Sequence, residues 1–481
     1  MATSVELVLA VPSRGPALYP VEASAGEMQG LEFFCAKFAP NLGMYFDADF
    51  WTQSVMQASV AEPAVRHAIV AVGVLAKQRE LRHARNGDRT PAVVTDVRSL
   101  ATIATSPDGQ VLDTDSILAL RNYNKSINHL AQHMAASSAV TDITLLACVL
   151  FVCVEFLRGD EEAARRHFRG GMAILMDSMS SSGDTNTSLV GLTCTRHVMS
   201  PMFNRLEMLS TLFGNEPTWR YPIALAETVP ETFQSLGHAR DSITHLMNLS
   251  LRFIRSVYLS KYEPSSTSPS ATSQQAALLH HLALWEERLS TYRTSHTSGL
   301  TSIDMYACNV LGIGHIVAKI WVSTALTPFE CAHDAHLLDF EAAIELAEQL
   351  PAIASMHDQS DRYTTAFTLD VEVLGPMHWV SIKCRDPALR RRALAVQLGT
   401  RRREGLWDSQ VYAALAERMI AVEEEGLKDG ELPSEEARVH HSIIEKMADA
   451  GSSDHLITLH SRPNGVYEEM RVTQEQIRLF V

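Results

Sequence analysis

Over much of the chain apolar side chains recur every three or four positions, the period of a helix with one buried face. From Pro63, the residues Val65, Ile69, Val72 and Ala76 share a face, and Pro63 suits a first helical position, where its missing N–H costs nothing. After Asp115 or Ser116, read as the N-cap, Leu120, Tyr123, Ile127 and Leu130 repeat the pattern. Ile143 to Leu157 is apolar almost all the way round, the mark of a central helix covered on every side. Arg158-Gly159-Asp160 then supplies a tight turn. Glu161 to Met176 carries Ala163, Ala164, Gly170, Gly171 and Ala173, small side chains that let a partner approach, so the pair reads as an antiparallel hairpin. Further on, Asp386-Pro387 opens a helix with Leu389, Ala393 and Val396 inward and Arg390 to Arg392 partly outward. Trp407-Asp408-Ser409 precedes another, striped by Val411, Leu415, Met419 and Val422 and stopped at Gly426. Alternation with a period of two is confined to short runs near Val5 and Val93.

The expected fold class is therefore all-α, a compact helical superhelix built from antiparallel helix hairpins. Two stretches rich in Ser, Thr, Gly and Pro, 178–188 (SMSSSGDTNTS) and 264–275 (PSSTSPSATSQQ), have little to bury and read as breaks. They divide the chain into a loosely structured segment 1–26, a first helical lobe 27–177, a loop 178–188, a helical segment 189–263, a Ser/Pro-rich linker 264–275 and a second helical lobe 276–481. The tract from Gly87 to Asp115, with Pro91, Pro107 and Gly109, is a weaker break. No fixed repeat length emerges, which argues against a solenoid array.

Composition narrows the function classes. With 46% hydrophobic and 20% charged residues the chain is an ordinary globular one, large enough to bury a core without staples. Its 41 Lys and Arg against 56 Asp and Glu, a formal charge of -15, oppose unaided binding to a phosphate polyanion. The cysteines at 35, 148, 153, 194, 308, 331 and 384 are odd in number and without framework spacing, as expected of free thiols in a reducing compartment. Val5 to Ala10 is interrupted by Glu6 and lacks a basic start, so a secretory leader is not expected. Ile143 to Leu157 falls short of the ~20 residues a bilayer needs, and no membrane anchor is implied.

Candidate chemistry is sparse. His129 and His133 stand at i, i+4, but Leu130 occupies the position where a zinc hydrolase of the H-E-x-x-H type needs glutamate. Solvated or partly packed histidines are the simpler reading. Cys331, His333, Asp334 and His336 form the densest group of ligand-type residues, yet they lie near a helix start, where Asp334 reads as a cap or first-turn acid. Cys148 and Cys153 read as core packing. Gly312-Ile313-Gly314 begins like a dinucleotide fingerprint, but Val317 stands at the third glycine and the flanks are helical. Neither a G-x-x-x-x-G-K-S/T phosphate loop nor a G-x-S-x-G elbow occurs. The runs Arg390-Arg391-Arg392 and Arg401-Arg402-Arg403 read as solvated faces ahead of nucleic-acid contacts or a nuclear-import signal, because no aromatics are interleaved to stack on bases. No catalytic residues, metal ligands or cofactor are assigned.

Four stretches, in order, resemble the regulatory (middle homology) region that follows the binuclear zinc cluster in fungal zinc-cluster transcription factors. The first is Phe46 to Gly73, with Asp49-Phe50-Trp51, Glu62 to Ile69 and Ala71-Val72-Gly73. The second is Ala119 to Ile127, and the third is Leu145 to Leu175, with the turn Glu155 to Asp160 followed by Ala164, His167 and Gly171. The fourth and most specific is Lys383-Cys384-Arg385-Asp386-Pro387 with Arg390-Arg391, then Arg403-Glu404-Gly405-Leu406-Trp407-Asp408-Ser409. The resemblance implies an all-α body that answers to partners, modification or a small metabolite, acts in the nucleus, with cytoplasm open, and transfers no catalytic residue. Many members of that family govern secondary-metabolite pathways. The family's six-cysteine head opens with a C-x-x-C pair beside basic residues that approach the major groove. This sequence has no C-x-x-C, and residues 1–39 hold only Cys35, Arg14 and Lys37 of the relevant types.

The expectation is a fungal transcription regulator without its own DNA-binding cluster, working through protein partners such as a DNA-binding factor or the transcription machinery, as a homo- or heterodimer. Three alternatives stay open at this point. One is a helical small-molecule binder or enzyme with a dispersed site drawn from His67, Glu155 or His167, although a packed, hydrogen-bonded role is the simpler reading of both histidines. The others are a scaffold for other proteins, and a truncated gene reading of a full zinc-cluster factor.

Overall fold

The apolar run at 143–157 dictates the centre of the molecule: every residue from Thr144 to Phe156 is buried in the computed structural model of the chain. The structure describes residues 23–42, 45–86, 113–136, 141–180, 198–213, 225, 228–263, 268–297, 299–355, 367–400, 403–428, 430–446 and 454–479. Expectations for residues 1–22, the runs near Val5 and Val93, most of the 87–115 tract, residues 181–188, Cys194, Arg401 and Arg402 fall outside the described residues.

Around that centre the first half forms α1 (Ala25–Phe33), α2 (Ala39–Leu42), α3 (Val55–Ala61), α4 (Pro63–Asn86), α5 (Thr114–Ala136), α6 (Thr141–Arg158), α7 (Glu161–Ser180) and α8 (Ser200–Leu212). The segment 1–26 therefore already contains a helix start: Ser24 and Glu27 cap α1 reciprocally. The cap of α5 lies two or three residues earlier than expected, because Asp113 accepts from the Ser116 N–H at 2.8 Å. α6 and α7 make the expected hairpin. Gly159 adopts φ +78° at its turn, a conformation that costs glycine little, and Asp160 caps α7 through the Ala163 N–H at 2.8 Å. The small residues of α7 do admit a close partner, since a Cβ on Gly171 would stand 2.5 Å from the Phe203 ring.

The second half comprises α9 (Leu236–Val257), α10 (Pro269–Ser295), α11 (Ser302–Thr324), α12 (Leu337–Ser355), α13 (Leu374–Lys383), α14 (Pro387–Thr400) and α15 (Ser409–Glu423). A second apolar core joins α8 to α11, a third joins α11 to α14, and a fourth lies between α13, α14, α15 and a C-terminal sheet. α11 is, among the described residues, long and apolar enough to cross a membrane, but 67% of its most apolar window is buried within the protein. Its polar groups also bond inside the body: Asn309 Nδ2 to the Leu346 carbonyl at 3.3 Å and His315 Nε2 to the Leu282 carbonyl at 3.0 Å.

The class is all-α, with two small sheets among the described residues. Three two-residue strands, β1 (Phe367–Thr368), β2 (Arg403–Glu404) and β3 (Trp407–Asp408), form one, with β1 parallel and β3 antiparallel to β2. The second departs from the expected helical lobe 276–481: β4 (Val439–Lys446), β5 (Asp454–Ser461) and β6 (Arg471–Arg478) make an antiparallel meander. Ile457 and Leu459 point from its middle strand into the fourth core. The linker 264–275 is also shorter than expected. Ser268 and Pro269 take the N-cap and N1 positions of α10, so the serines and glutamines beyond them are helical. Nor are the lobes separate, because Phe367, Leu374, Leu406 and Trp407 complete the first core.

Candidate functional site

The three residues nominated for a dispersed site, His67, Glu155 and His167, lie along the packing of α4, α5, α6 and α7. α5 presents Asn122 and Tyr123 side by side, both buried. Asn122 Oδ1 lies 2.9 Å from His67 Nδ1, and His67 stacks on His129 with centroids 5.5 Å apart. On the other flank Tyr123 Oη lies 2.5 Å from His167 Nε2. Glu155 is buried behind the same tyrosine and ion-paired to Arg158 at 2.5 Å. Burial raises the Glu155 carboxyl and, with that carboxylate beside it, the Tyr123 hydroxyl, while burial lowers both His67 and His167. Glu155 and His167 thus share Tyr123, while His67 belongs to a separate contact with Asn122. Ser126 closes the seam by donating to the Ala64 carbonyl at 2.5 Å. This arrangement satisfies buried polar groups and pins four helices in register.

The second concentration of charge sits where α13, α14, α15 and β4 converge. Arg385, Arg390 and Glu423 have side chains with no exposure at all. Glu423 receives Arg385 Nη2 at 2.9 Å, Arg390 Nη2 at 2.8 Å and the Val439 N–H at 2.8 Å. Glu330, held by Lys383 at 2.7 Å and Arg385 at 3.2 Å, completes the set. The expectation that Arg390 turns partly outward is corrected: only Arg391 and Arg392 do, and they pair with Glu424 and Glu348. The guanidinium of Arg390 is drawn inward by a carboxylate 33 residues away, which a local helical pattern does not encode.

The stretch Arg403 to Ser409 proves to be a joint. Arg403 is buried and donates to the Gly405 carbonyl at 2.9 Å, and burial, with Arg79 adding its charge, pushes it down to about 10. Glu404, wholly buried, accepts from the N–H groups of Glu372, Val373 and Leu374 and so caps α13. Gly405 turns the chain at φ +55°. Trp407 enters the first core, and Asp408 caps α15 while pairing with Arg79 at 3.0 Å.

Other nominated residues resolve separately. His133 lies 3.4 Å from Glu62, and among the described residues no group of three or more His, Cys, Asp or Glu is placed to hold a metal. Asp334 is not a helix cap, as expected, but a bidentate partner of Arg438 at 2.8 and 2.7 Å. His333 is buried beside Glu330 and pushed down to about 4 by desolvation, while His336 bonds Asp339 at 3.0 Å and Cys331 is exposed. Cys148 and Cys153 are core thiols, raised to about 12 by burial. Gly312 and Gly314 lie inside α11.

One network escaped the sequence reading. Asp47 accepts from Arg205 Nη2 at 2.5 Å and from both Nη atoms of Arg240 at 2.9 and 3.0 Å. Asp370 stands 2.8 Å from Arg205 Nε, and Asp241 3.3 Å from Arg240 Nε. The local signal is the charge at Arg205 and Arg240, both on buried faces of their helices. No family model, curated protein or solved structure matches the chain.

Proposed function

We propose that this chain is the regulatory body of a fungal zinc-cluster-type transcription regulator, acting in the nucleus through a protein partner that reads DNA. The observation that carries the reading is mutual contact among the stretches that resemble that family. Phe46 to Gly73 meets Ala119 to Ile127 through His67–Asn122 and Ala64–Ser126. That second stretch meets Leu145 to Leu175 through Tyr123–His167. In the fourth, Arg385 and Arg390 share Glu423, and Arg403 to Asp408 bind α13, α15 and the first core. The resemblance thus falls on the joints of the body, as expected where a shared fold rather than shared chemistry is preserved. The charge of -15 opposes direct DNA contact by these 481 residues and supports a reading in which DNA is contacted elsewhere than on this body.

The test is to fuse the whole chain to a heterologous DNA-binding domain and read a reporter in a fungal host, with crosslinked nuclear pull-down in parallel. The expected result is reporter output that differs from the DNA-binding domain alone, a DNA-binding factor in the pull-down, and no retardation of duplex DNA by the purified chain. An unchanged reporter together with a pull-down free of transcription proteins overturns the reading.

A further inference from the structure

Where the first core meets the second, the segment 45–50 lies against the N-terminal end of α8 and against α9, and a cavity of about 260 Å³ opens between them. Tyr45, Phe46, Phe50 and Pro201 supply apolar walls, and Asp47, Asp49 and Arg240 supply charge. Its size suits a compact small molecule, and apolar walls with a few fixed polar groups are what such sites present.

The charge balance decides the sign of the occupant. Arg240 spends Nε on Asp241 and both Nη atoms on Asp47, with its guanidinium 4.6 Å from the Phe46 ring centroid. Arg205, outside the lining, donates Nη2 to Asp47 and stands 2.8 Å from Asp370 at Nε, while its Nη1 lies 3.8 Å from Asp241. Three carboxylates therefore already answer two guanidiniums, and among the described residues of the lining the one cation, Arg240, is already paired. Asp49 adds a fourth carboxylate. It is exposed, lines the cavity, makes no ion pair among the described residues and accepts one hydrogen bond, from Gln53 Nε2 at 3.1 Å. Tyr45 Oη donates to Asp304, so the hydroxyl of that wall is already engaged by an acid. Aromatic faces beside surplus negative charge attract a cation twice over, through the ring quadrupole and through the carboxylate.

We infer that this cavity binds a small organic cation, a protonated amine on a compact apolar skeleton, with Asp49 as its counter-ion and Phe46 and Phe50 as its apolar walls. The site is built by residues from both sides of the seam between the first and second cores, so occupancy favours whichever packing of the two best closes around the ligand. Regulatory use of the site rests on the function proposed above; its occupancy does not.

The test is calorimetric titration of the purified full chain with phenethylamine, its neutral counterpart phenethyl alcohol and the anion phenylacetate. The amine is expected to bind in saturable fashion, about fivefold or more tighter than the alcohol, with phenylacetate weaker still. Asp49→Asn, at an exposed position that does not threaten folding, is expected to erase the preference for the amine over the alcohol. Phe50→Leu is expected to weaken both ligands while circular dichroism stays unchanged. Equal binding of amine and alcohol, preference for phenylacetate, no saturable binding of the amine, or an amine preference that survives Asp49→Asn overturns the inference. None of these outcomes bears on the reporter and pull-down experiment, so the two proposals fail separately.

Discussion

Replacing Glu423 by glutamine probes what holds the C-terminal third together. The carboxylate is completely buried, and four N–H groups converge on it: Arg385 Nη2 and Nε, Arg390 Nη2 and the Val439 backbone. Glutamine keeps the shape but removes the charge, and its own amide hydrogens face donors. Two guanidiniums then stay buried, with Glu330 and the more peripheral Glu424 as the nearest anions. Breaking a buried ion pair by removing one partner costs roughly 3–5 kcal/mol. Glu423→Gln should therefore lower the denaturant midpoint by that equivalent with the slope unchanged. Arg391→Ala, which removes a half-exposed partner of Glu424, should cost about 1 kcal/mol or less. The pH dependence supplies a second check. Burial alone would raise the Glu423 carboxyl, but Arg385 and Arg390 outweigh it and hold it below the ordinary value. Its contribution is thus complete above the unfolded carboxylate range and is lost as pH falls through the depressed folded value, so the acid limb of the stability curve should be shallower in the variant. A loss under about 1 kcal/mol for Glu423→Gln would refute the claim that this carboxylate organises the joint.

Other expectations follow from the same geometry. Gly73→Ala would put a Cβ 1.9 Å from the Gly30 carbonyl oxygen, so despite better helix propensity it should destabilise by about 1–3 kcal/mol in thermal or chemical unfolding. His378 is buried against Trp407 and Tyr412 and pushed down to about 4 by desolvation. Since the unfolded imidazole takes a proton near pH ~6.5, stability should fall as pH drops from there towards 4, and His378→Gln should flatten that window in pH-dependent denaturation. Tyr123→Phe removes the hydroxyl that the half-buried His167 Nε2 faces and should cost about 1 kcal/mol, with a loss below ~0.5 counting against the seam. Mass-spectrometric mapping of alkylation should find Cys331 modified well before the buried Cys148, Cys153, Cys308 and Cys384.

Helices were legible wherever their cause is local. The period of three to four in 63–76, the largely apolar run at 143–157, the Gly159 turn and the Asp386 cap are properties of neighbouring residues, and the structure keeps them all. Serine content misled at 268–275, because Ser and Thr resemble linker residues until a cap and a first-turn proline line up ahead of them. The C-terminal sheet carried a faint signal in Ile457 and Leu459, two residues apart and on one face, but the histidines around them dilute the alternation. Tertiary structure alone decided which charges are buried and with whom. Arg385 finds Glu423 38 residues on, Asp334 finds Arg438 104 residues on, and Asp47 finds Arg240 193 residues on. A guanidinium in a helical pattern looks the same whether it faces water or a carboxylate. Only the packing that removes water makes that carboxylate indispensable, so the sequence determined the helical body, and the fold chose the joints that hold it and the cavity at its seam.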